Sequence, residues 1–472
     1  MPSVILDDIE GAVKKNIITT IEAKYMLDRE ELLEREQSIL NWGKHYFPDK
    51  LYKPYCSPLH DYFISIRDSE FTSTLAPRNH AKTMIKCFLI PIYQAIVEPN
   101  RYRHYLNIQN TTRKAIGINR MIRQELESNI KLREDYGELC NDDKWTEKQF
   151  VLTNGVAFTG IGTGENVKGL NYMGARPDYI ILDDLYEEED IHNRDRIKKI
   201  EDWFWGSIYP ARDQHKTSSI HLQGTAANKE DLMHKLSDVE GVKYRKFQAV
   251  TDYKNRQSLW FSFEQLMVDR KRMGSIKFER EMQNEVRDDE SSIIKEGWIK
   301  FYNGQVPSEE KIVKVIAGID PASGEKQLND FTGMACVYVT NLHNYYIHEV
   351  KNEKLSFDKR LKAVELFHAR YKFNVVNVEA IAAFKDFANE LKRTTPVPIR
   401  EISFVKDKIT RLENQSHKFE NGKVFINKQI SEKPRNELIE QLINNKPNHD
   451  DIRDAVILCL EDTARETKII FL

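Results

Sequence analysis

Short runs of β-branched and apolar residues alternate with stretches of helical period along this chain, and several of the runs stop at residues that carry chemistry. Residues 71–75 read as a strand that enters Ala76-Pro77-Arg78-Asn79-His80-Ala81-Lys82-Thr83, and a helical pattern over 84–97 leaves it. Residues 104–109 alternate as a strand does and 111–130 follow a helical period, which makes one α/β unit. The runs 150–153 and 156–159 flank Asn154-Gly155, a pair suited to a type I′ turn, and predict a β-hairpin leading into Gly160-Ile161-Gly162-Thr163-Gly164. Tyr179-Ile180-Ile181-Leu182 is an unbroken apolar run ending in Asp183-Asp184, the pattern of a buried parallel strand with acids at its tip. A further strand over 218–223 ends in Gly224-Thr225, followed by a helix near 229–236.

The C-terminal third repeats the alternation in a different order. Strands are expected over 313–319, ending at Asp320, then over 333–340, with Asp330 just before it, and over 344–351. A helix over 356–371 follows, then a strand over 375–378 ending in Glu379, and a last helix over 449–458 that begins with Asp450, Asp451 and, one turn on, Asp454. Between the two parts, 261–286 reads as one long basic helix and 287–310 as a charged connection. Residues 1 to about 45 read as helical without a catalytic pattern, and 46–60, with three prolines, as a looped approach whose aromatics could pack or stack on a base.

Composition narrows this picture. A chain of 472 residues exceeds what one core usually supports, so two domains are expected, and 40% hydrophobic residues suffice to build them. No apolar run is long enough to span a bilayer and the N-terminus is not signal-like, which points to a cytosolic protein without a membrane partner. Five scattered cysteines without a C-x-x-C indicate neither a disulfide framework nor a zinc knuckle. The formal net charge of -2 provides no global field for a polyanion, so contact with nucleic acid would rest on local clusters. The candidates are Arg101 with Arg103, Arg120 with Arg123, and Arg270-Lys271-Arg272 with Lys277 and Arg280.

The candidate chemistry follows from position. A strand, tight loop and helix is the setting of a phosphate-binding loop, where Lys82 would reach the β- and γ-phosphates and Thr83 would bind Mg²⁺. The loop residues Arg78, Asn79, His80 and Ala81 would line the anion, although alanines stand where the usual motif has glycines. Asp183, at the tip of its strand, would hold the water shell of Mg²⁺. Asp184 occupies a place suited to polarising the attacking water, with Glu187 and Glu188 as competitors, and Thr225 could sense the γ-phosphate. Arg78 and Arg176 are both candidates for an arginine finger. In the C-terminal third, three antiparallel strands, then helix, strand and helix, with acids on the first strand, the fourth strand and the last helix, is the layout of a ribonuclease H-like nuclease. Asp320 and Glu379 with Asp450 or Asp451 could hold a pair of divalent ions for phosphodiester hydrolysis, Mg²⁺ or alternatively Mn²⁺; Asp454 could support them or face solvent.

The loop Ala76 to Thr83, similar to P-R-G-H-A-K-[ST], the segment Arg176-Pro177-Asp178 leading into Leu182-Asp183-Asp184, and the Gly224-Thr225 strand tip together resemble the large terminase subunits of tailed bacteriophages. Asn79 stands where that family often has glycine, and Asn tolerates a left-handed backbone. The resemblance implies an α/β protein: a P-loop ATPase domain with a mainly parallel sheet, then a ribonuclease H-like domain. It further implies ATP-driven translocation of double-stranded DNA into a procapsid and cutting of concatemeric DNA. The implied partners are the portal protein and a small terminase subunit, with a homo-oligomeric ring, a pentamer, on the procapsid, a monomer in solution as the other state, and the host cytoplasm as location.

The domain boundaries expected are a helical lid segment over 1–60, the ATPase over 61–286, a linker over 287–310 and the nuclease over 311–472. Two other readings are compatible with the same residues: a helicase and nuclease of DNA repair or recombination, and a non-catalytic protein that binds DNA or a portal.

Overall fold

The computed structural model describes residues 31, 37–51, 55–172, 174–214, 218–287, 292–321, 331–379, 385–402, 407–445, 447 and 449–461. Most of the expected N-terminal helical segment, and Asp330, lie outside the described residues. The described chain divides into two compact units: one runs to Phe261 and includes Glu281–Asn284, and the other holds Ser262–Arg280 and the residues from Glu285 onward.

The first unit is built on β1 (Phe71–Leu75), β2 (His104–Gln109), β3 (Cys140–Trp145), β4 (Gln149–Leu152), β5 (Ala157–Gly162), β6 (Tyr179–Asp183), β7 (Ser219–Gly224) and β8 (Lys243–Lys246). Their order across the sheet is β3-β4-β5-β2-β6-β7-β1-β8. From β5 to β8 every pairing is parallel, and β3 and β4 add an antiparallel margin. The inner strands β1, β2, β6 and β7 are buried along their whole length, as expected where helices cover both faces. Lys243, Arg245 and Lys246 on β8 are exposed, and such charges discourage further pairing at a sheet edge. A short ribbon, β9 (Val250–Asp252) with β10 (Gln257–Ser258), completes the unit.

Local chemistry modifies two expected elements here. The β4–β5 hairpin forms, but only Gly155 of the turn has positive φ (85°), and Gly155 N donates to Leu152 O at 2.9 Å while Leu152 N donates to Val156 O at 2.8 Å. This is a three-residue loop closed by a left-handed glycine and not a type I′ turn. Asn154 is engaged elsewhere: it accepts from Val156 N and donates to Ala95 O. The helix after the loop opens as a wide, π-type segment, Met84–Leu89, before Ile90–Val97; Pro91 lacks the N–H that a regular ladder would use.

The second unit carries β11 (Lys300–Tyr302), β12 (Ile312–Asp320), β13 (Thr332–Thr340), β14 (Tyr345–Glu353), β15 (Val375–Glu379), β16 (Ile399–Ile402) and β17 (Val424–Asn427), in the order β11-β17-β14-β13-β12-β15-β16. β12, β13 and β14 form an antiparallel meander, β15 runs parallel to β12, and β16 parallel to β15. This is the ribonuclease H-like arrangement, extended at one edge by β17 and β11. Two apolar cores lie against the sheet, one including Ile452, Val456 and Leu438, the other including Val364, Phe367 and Leu391. The last helix, Asp451–Glu461, packs backbone to backbone on β12 and β13, because a Cβ at Gly318 or Gly333 would run into the carbonyl of Ala455 or Asp451.

Two boundary expectations change. The expected linker over 287–310 contains β11, which pairs with β17 and so is part of the second sheet. The long helix expected over 261–286 is two helices, Phe263–Met273 and Ser275–Gln283, broken where Gly274 adopts φ 84°. A side chain there would also crowd His417, whose Cβ lies 2.9 Å from the position of an added Cβ.

Two candidate active sites

In the first unit the strand tips of β1, β6 and β7 adjoin. Ala76 N donates to Gly224 O and Asp184 N to Gln223 O, which ties the loop after β1 and the acids after β6 to β7 between them. The loop turns through two left-handed residues, Asn79 (φ 64°) and Ala81 (φ 57°), at positions where glycine would be free of strain. Lys82 is only 5% exposed, and its Nζ lies 3.3 Å from Asp184 Oδ1 and 3.5 Å from Ala76 O. Thr83 Oγ1 donates to Asp183 Oδ2 at 2.7 Å. Asp184 itself is left-handed (φ 45°), which turns its carboxylate toward Lys82 and lets it accept from Thr225 N at 3.3 Å.

Burial, and then the neighbouring Asp184 charge, pushes the Asp183 carboxyl up to about 6. Gln109 and Gln223, the side chains at the tips of β2 and β7, donate to it at 3.3 and 3.0 Å. Neither glutamine is among the residues expected from sequence; the available signal was a polar residue at or next to the last position of a buried strand. Arg78 is held by Glu281, Nη1 to Oε2 at 2.7 Å, and its backbone N donates to Glu281 O. The Glu281 contact, with smaller contributions from Asp184 and Glu188, holds the Arg78 guanidinium above its ordinary range. Glu188 thus lies within electrostatic reach of the loop, while Glu187 N is turned to Asp190. His80 is buried against Trp260 and Phe261, and burial lowers its imidazole to about 4. Arg176 is exposed, whereas Asp178 is buried and accepts from the backbone of Arg103 and His104.

These residues open on a cavity of about 510 Å³ whose lining includes Arg78 to Thr83, Asp184, Tyr55, Met121 and Trp260. Its size and its apolar wall suit a nucleotide. Tyr46, in contrast, is packed in the core at 2% exposure.

In the second unit, Asp320, Glu379 and Asp454 are buried at 6, 3 and 3% exposure at the tips of β12 and β15 and on the last helix. Burial raises the Asp320 carboxyl well above its ordinary range; the charge of Asp454 adds most after that, with smaller additions from Glu379 and Asp451. Burial likewise raises Glu379, Asp451 and Asp454. Of the two acids expected from the last helix, Asp450 and Asp451, Asp450 is the more open at 28% side-chain exposure; it pairs with Lys408 (2.9 Å) and Arg453 (3.2 Å), and Asp454, 3% exposed, pairs with the same Lys408. Asp450 immediately precedes the helix, whose residues from Ile452 to Leu460 are buried, Asp454 among them.

Two cations unforeseen from sequence share this site, both from the helix Lys408–Glu420. Lys408 Nζ lies 2.6 Å from Asp454 Oδ2, and Arg411 Nη1 lies 3.2 Å from Glu379 Oε1. Burial lowers the Lys408 ammonium, but the charges of Asp454 and Asp320 outweigh it and hold Lys408 above its ordinary range. In this ion-paired arrangement, among the described residues, no three acidic side chains are placed to share one metal ion. The donor set nevertheless suits a hard divalent cation, and Asp451 Oδ2 is buried without a hydrogen-bond partner among the described residues. Of the basic clusters singled out in the sequence, several members are already engaged: Arg101 with Asp68, Arg120 with Glu147, Arg123 with Glu127 and Arg280 with Glu413.

Fold and sites together define a P-loop-type α/β unit followed in the same chain by a ribonuclease H-like unit. No family model and no curated protein matches the sequence. Among solved structures the chain is similar to the HK97 bacteriophage large terminase, at 13% identity and TM-score 0.38, covering 90% of this chain and 98% of that one. It is also similar to the human cytomegalovirus terminase nuclease domain (15% identity, TM-score 0.29, 36% of this chain and 94% of that one). A third similar structure is the large terminase nuclease from thermophilic phage G20c with bound magnesium (12% identity, TM-score 0.27, 37% and 98%). Among the described residues no helix is long and apolar enough to cross a membrane.

Proposed function

We propose that this chain is a large terminase subunit of a tailed bacteriophage, in which an ATP-driven motor moves duplex DNA into a procapsid and an attached endonuclease cuts concatemeric DNA. The reading is carried by one observation: a Lys82, Thr83 and Asp183 constellation at the tips of one sheet coexists with Asp320, Glu379, Asp451 and Asp454 at another. In the motor, Lys82 exchanges its pairing with Asp184 for the β- and γ-phosphates of ATP, and the loop N–H groups of residues 79–83 face the anion. Thr83 and Asp183 are the residues that would hold the Mg²⁺ of the nucleotide. Asp184, released from Lys82, then orients the attacking water; Glu188 is the nearby alternative, and Thr225 on the same carboxylate relays the presence of the γ-phosphate.

In the nuclease, Asp320, Glu379, Asp451 and Asp454 are the residues that would hold Mg²⁺ or Mn²⁺, with Asp450 outside them. Bound divalent ions supply an activated water and stabilise the leaving oxygen. The protein's part is to present buried carboxylates and to release Lys408 and Arg411 from them. Double-stranded DNA, a portal protein and a small terminase subunit are the partners of this reading, with a ring of five on the procapsid in the host cytoplasm.

Separation of function tests it. Lys82→Ala should lose DNA-stimulated ATP turnover by on the order of 100-fold or more while keeping metal-dependent plasmid cutting. Asp320→Ala should do the reverse. Full ATP turnover in Lys82→Ala would reject the motor, and ATP-dependent strand displacement by the wild type would reject a duplex translocase in favour of a helicase.

A further inference from the structure

Lys408 and Arg411 are not the only cations at the nuclease acids. Arg360 sits in the first turn of the helix Phe357–Tyr371, eight residues beyond Asn352, which the strand register places in one row with Gly333 and Asp320. Its side chain is 6% exposed, and its guanidinium rests over the Phe387 ring at 5.6 Å. Burial lowers its pKa, and the one charge that opposes this is that of Asp320, so the guanidinium is electrostatically in view of the acid cluster. Yet among the described residues it is not ion-paired as Lys408 and Arg411 are. Nη2 makes a long bond of 3.4 Å to Leu355 O, and Nε is buried with no hydrogen-bond partner among the described residues.

A buried guanidinium with an unused donor is costly unless a ligand completes it. Lys408 and Arg411 already neutralise Asp454 and Glu379, so Arg360 is not required to balance the acids in this state. The chemistry that would use it is a planar fork of N–H donors meeting a non-bridging phosphate oxygen. Its place at the N-terminal turn of a 15-residue helix adds the helix's own preference for an anion.

We propose that Arg360 is a substrate-positioning residue that binds a phosphodiester of the DNA strand lying across the nuclease acids. This inference rests on the nuclease reading above. With divalent ions held by the carboxylates, Asp320 would be neutralised by them, and Arg360 would take a phosphate oxygen as its partner.

The test is binding of a short DNA duplex to the full chain without ATP, with Ca²⁺ in place of Mg²⁺, titrated over a range of salt concentrations. Arg360→Met, which keeps the apolar contact with Phe387, should weaken binding about 10-fold and make the logarithmic salt dependence shallower by about one unit. Arg360→Lys should keep the salt dependence and lose less affinity. ATP turnover should be unchanged in both. Wild-type affinity and salt dependence in a folded Arg360→Met would overturn the proposal, as would weaker binding with an unchanged salt dependence. If the methionine variant does not fold, the lysine variant decides, because a charge kept without the fork should still bind about 3-fold more weakly than wild type, and equality would overturn the proposal. A wild type that neither binds duplex nor cuts it would instead remove the nuclease reading itself.

Discussion

The ammonium of Lys408 lies 2.6 Å from Asp454 Oδ2, inside the group of carboxylates that the second unit buries at its strand tips. A metal ion held by these carboxylates would compete with that ammonium for the same oxygens. Releasing Lys408 should cost on the order of 1–2 kcal/mol, about tenfold in affinity. Lys408→Ala is therefore expected to bind Mg²⁺ about tenfold more tightly, to melt at a lower temperature without metal, and to gain more in melting temperature when Mg²⁺ is added. Thermal shift against Mg²⁺ concentration checks this; an Mg²⁺ response equal to wild type would mean that Lys408 does not occupy the ion's place.

The last helix offers two acids at the same nominal site, and their surroundings separate them. Asp454 is buried and is the carboxylate whose charge most raises Asp320, whereas the Asp450 side chain is 28% exposed; Lys408 pairs with both. Asp454→Asn should reduce plasmid cutting by two orders of magnitude or more, and Asp450→Asn should stay within about tenfold of wild type. Initial rates at saturating Mg²⁺ measure both, and the reverse order would return the role to Asp450.

Gly333 faces Asp320 across the β12–β13 pairing and leaves room for the carbonyl of Asp451. Adding one methyl group there should drive the last helix off the sheet, at a cost of about 1–3 kcal/mol. Gly333→Ala is expected to lose cutting and metal-induced stabilisation while ATP turnover persists. Parallel assays of the two activities on one preparation would show it, and intact cutting would place the acids on a more yielding support than this packing implies.

Asp183 has a pH signature of its own. Its folded pKa, pushed up to about 6, lies above the ordinary value of 3.8, so between these values the folded chain holds more proton than the unfolded chain does. By linkage, the contribution of Asp183 to stability declines as pH rises through that window and stays low above it. Asp183→Asn removes this term. Relative to wild type, the nucleotide-free variant should therefore gain stability between pH 4 and 7, by up to about 3 kcal/mol. Denaturant unfolding of both proteins across that range is the measurement, and a difference that does not change with pH would contradict the buried, charge-crowded state of Asp183.

Much of this molecule is visible in one dimension wherever a single segment decides the outcome. The run 179–182 with its terminal acids becomes β6 and Asp183, because a wholly apolar strand can only be an inner strand. The loop from Ala76 to Thr83 is legible for the same reason, with strand, turn and helix lying next to one another in sequence. The hairpin at Asn154-Gly155 is partly legible: glycine takes the left-handed position, but the contact of Asn154 with Ala95, 59 residues away, selects a different turn.

What the sequence determined by itself is therefore local: which strands are buried, where they stop, and which acids and cations stand at their ends. Tertiary structure decided who meets whom. Glu281 reaches Arg78 across 203 residues, Lys408 and Arg411 arrive at the acids on a helix that carries no catalytic pattern, and Asp454 is buried beside Lys408 while Asp450, on the same ammonium, is more open. The physical reason is packing at contact distance. Gly318 and Gly333 let the last helix rest directly on β12 and β13, and that contact fixes which of its faces, and so which of its carboxylates, turns toward Asp320.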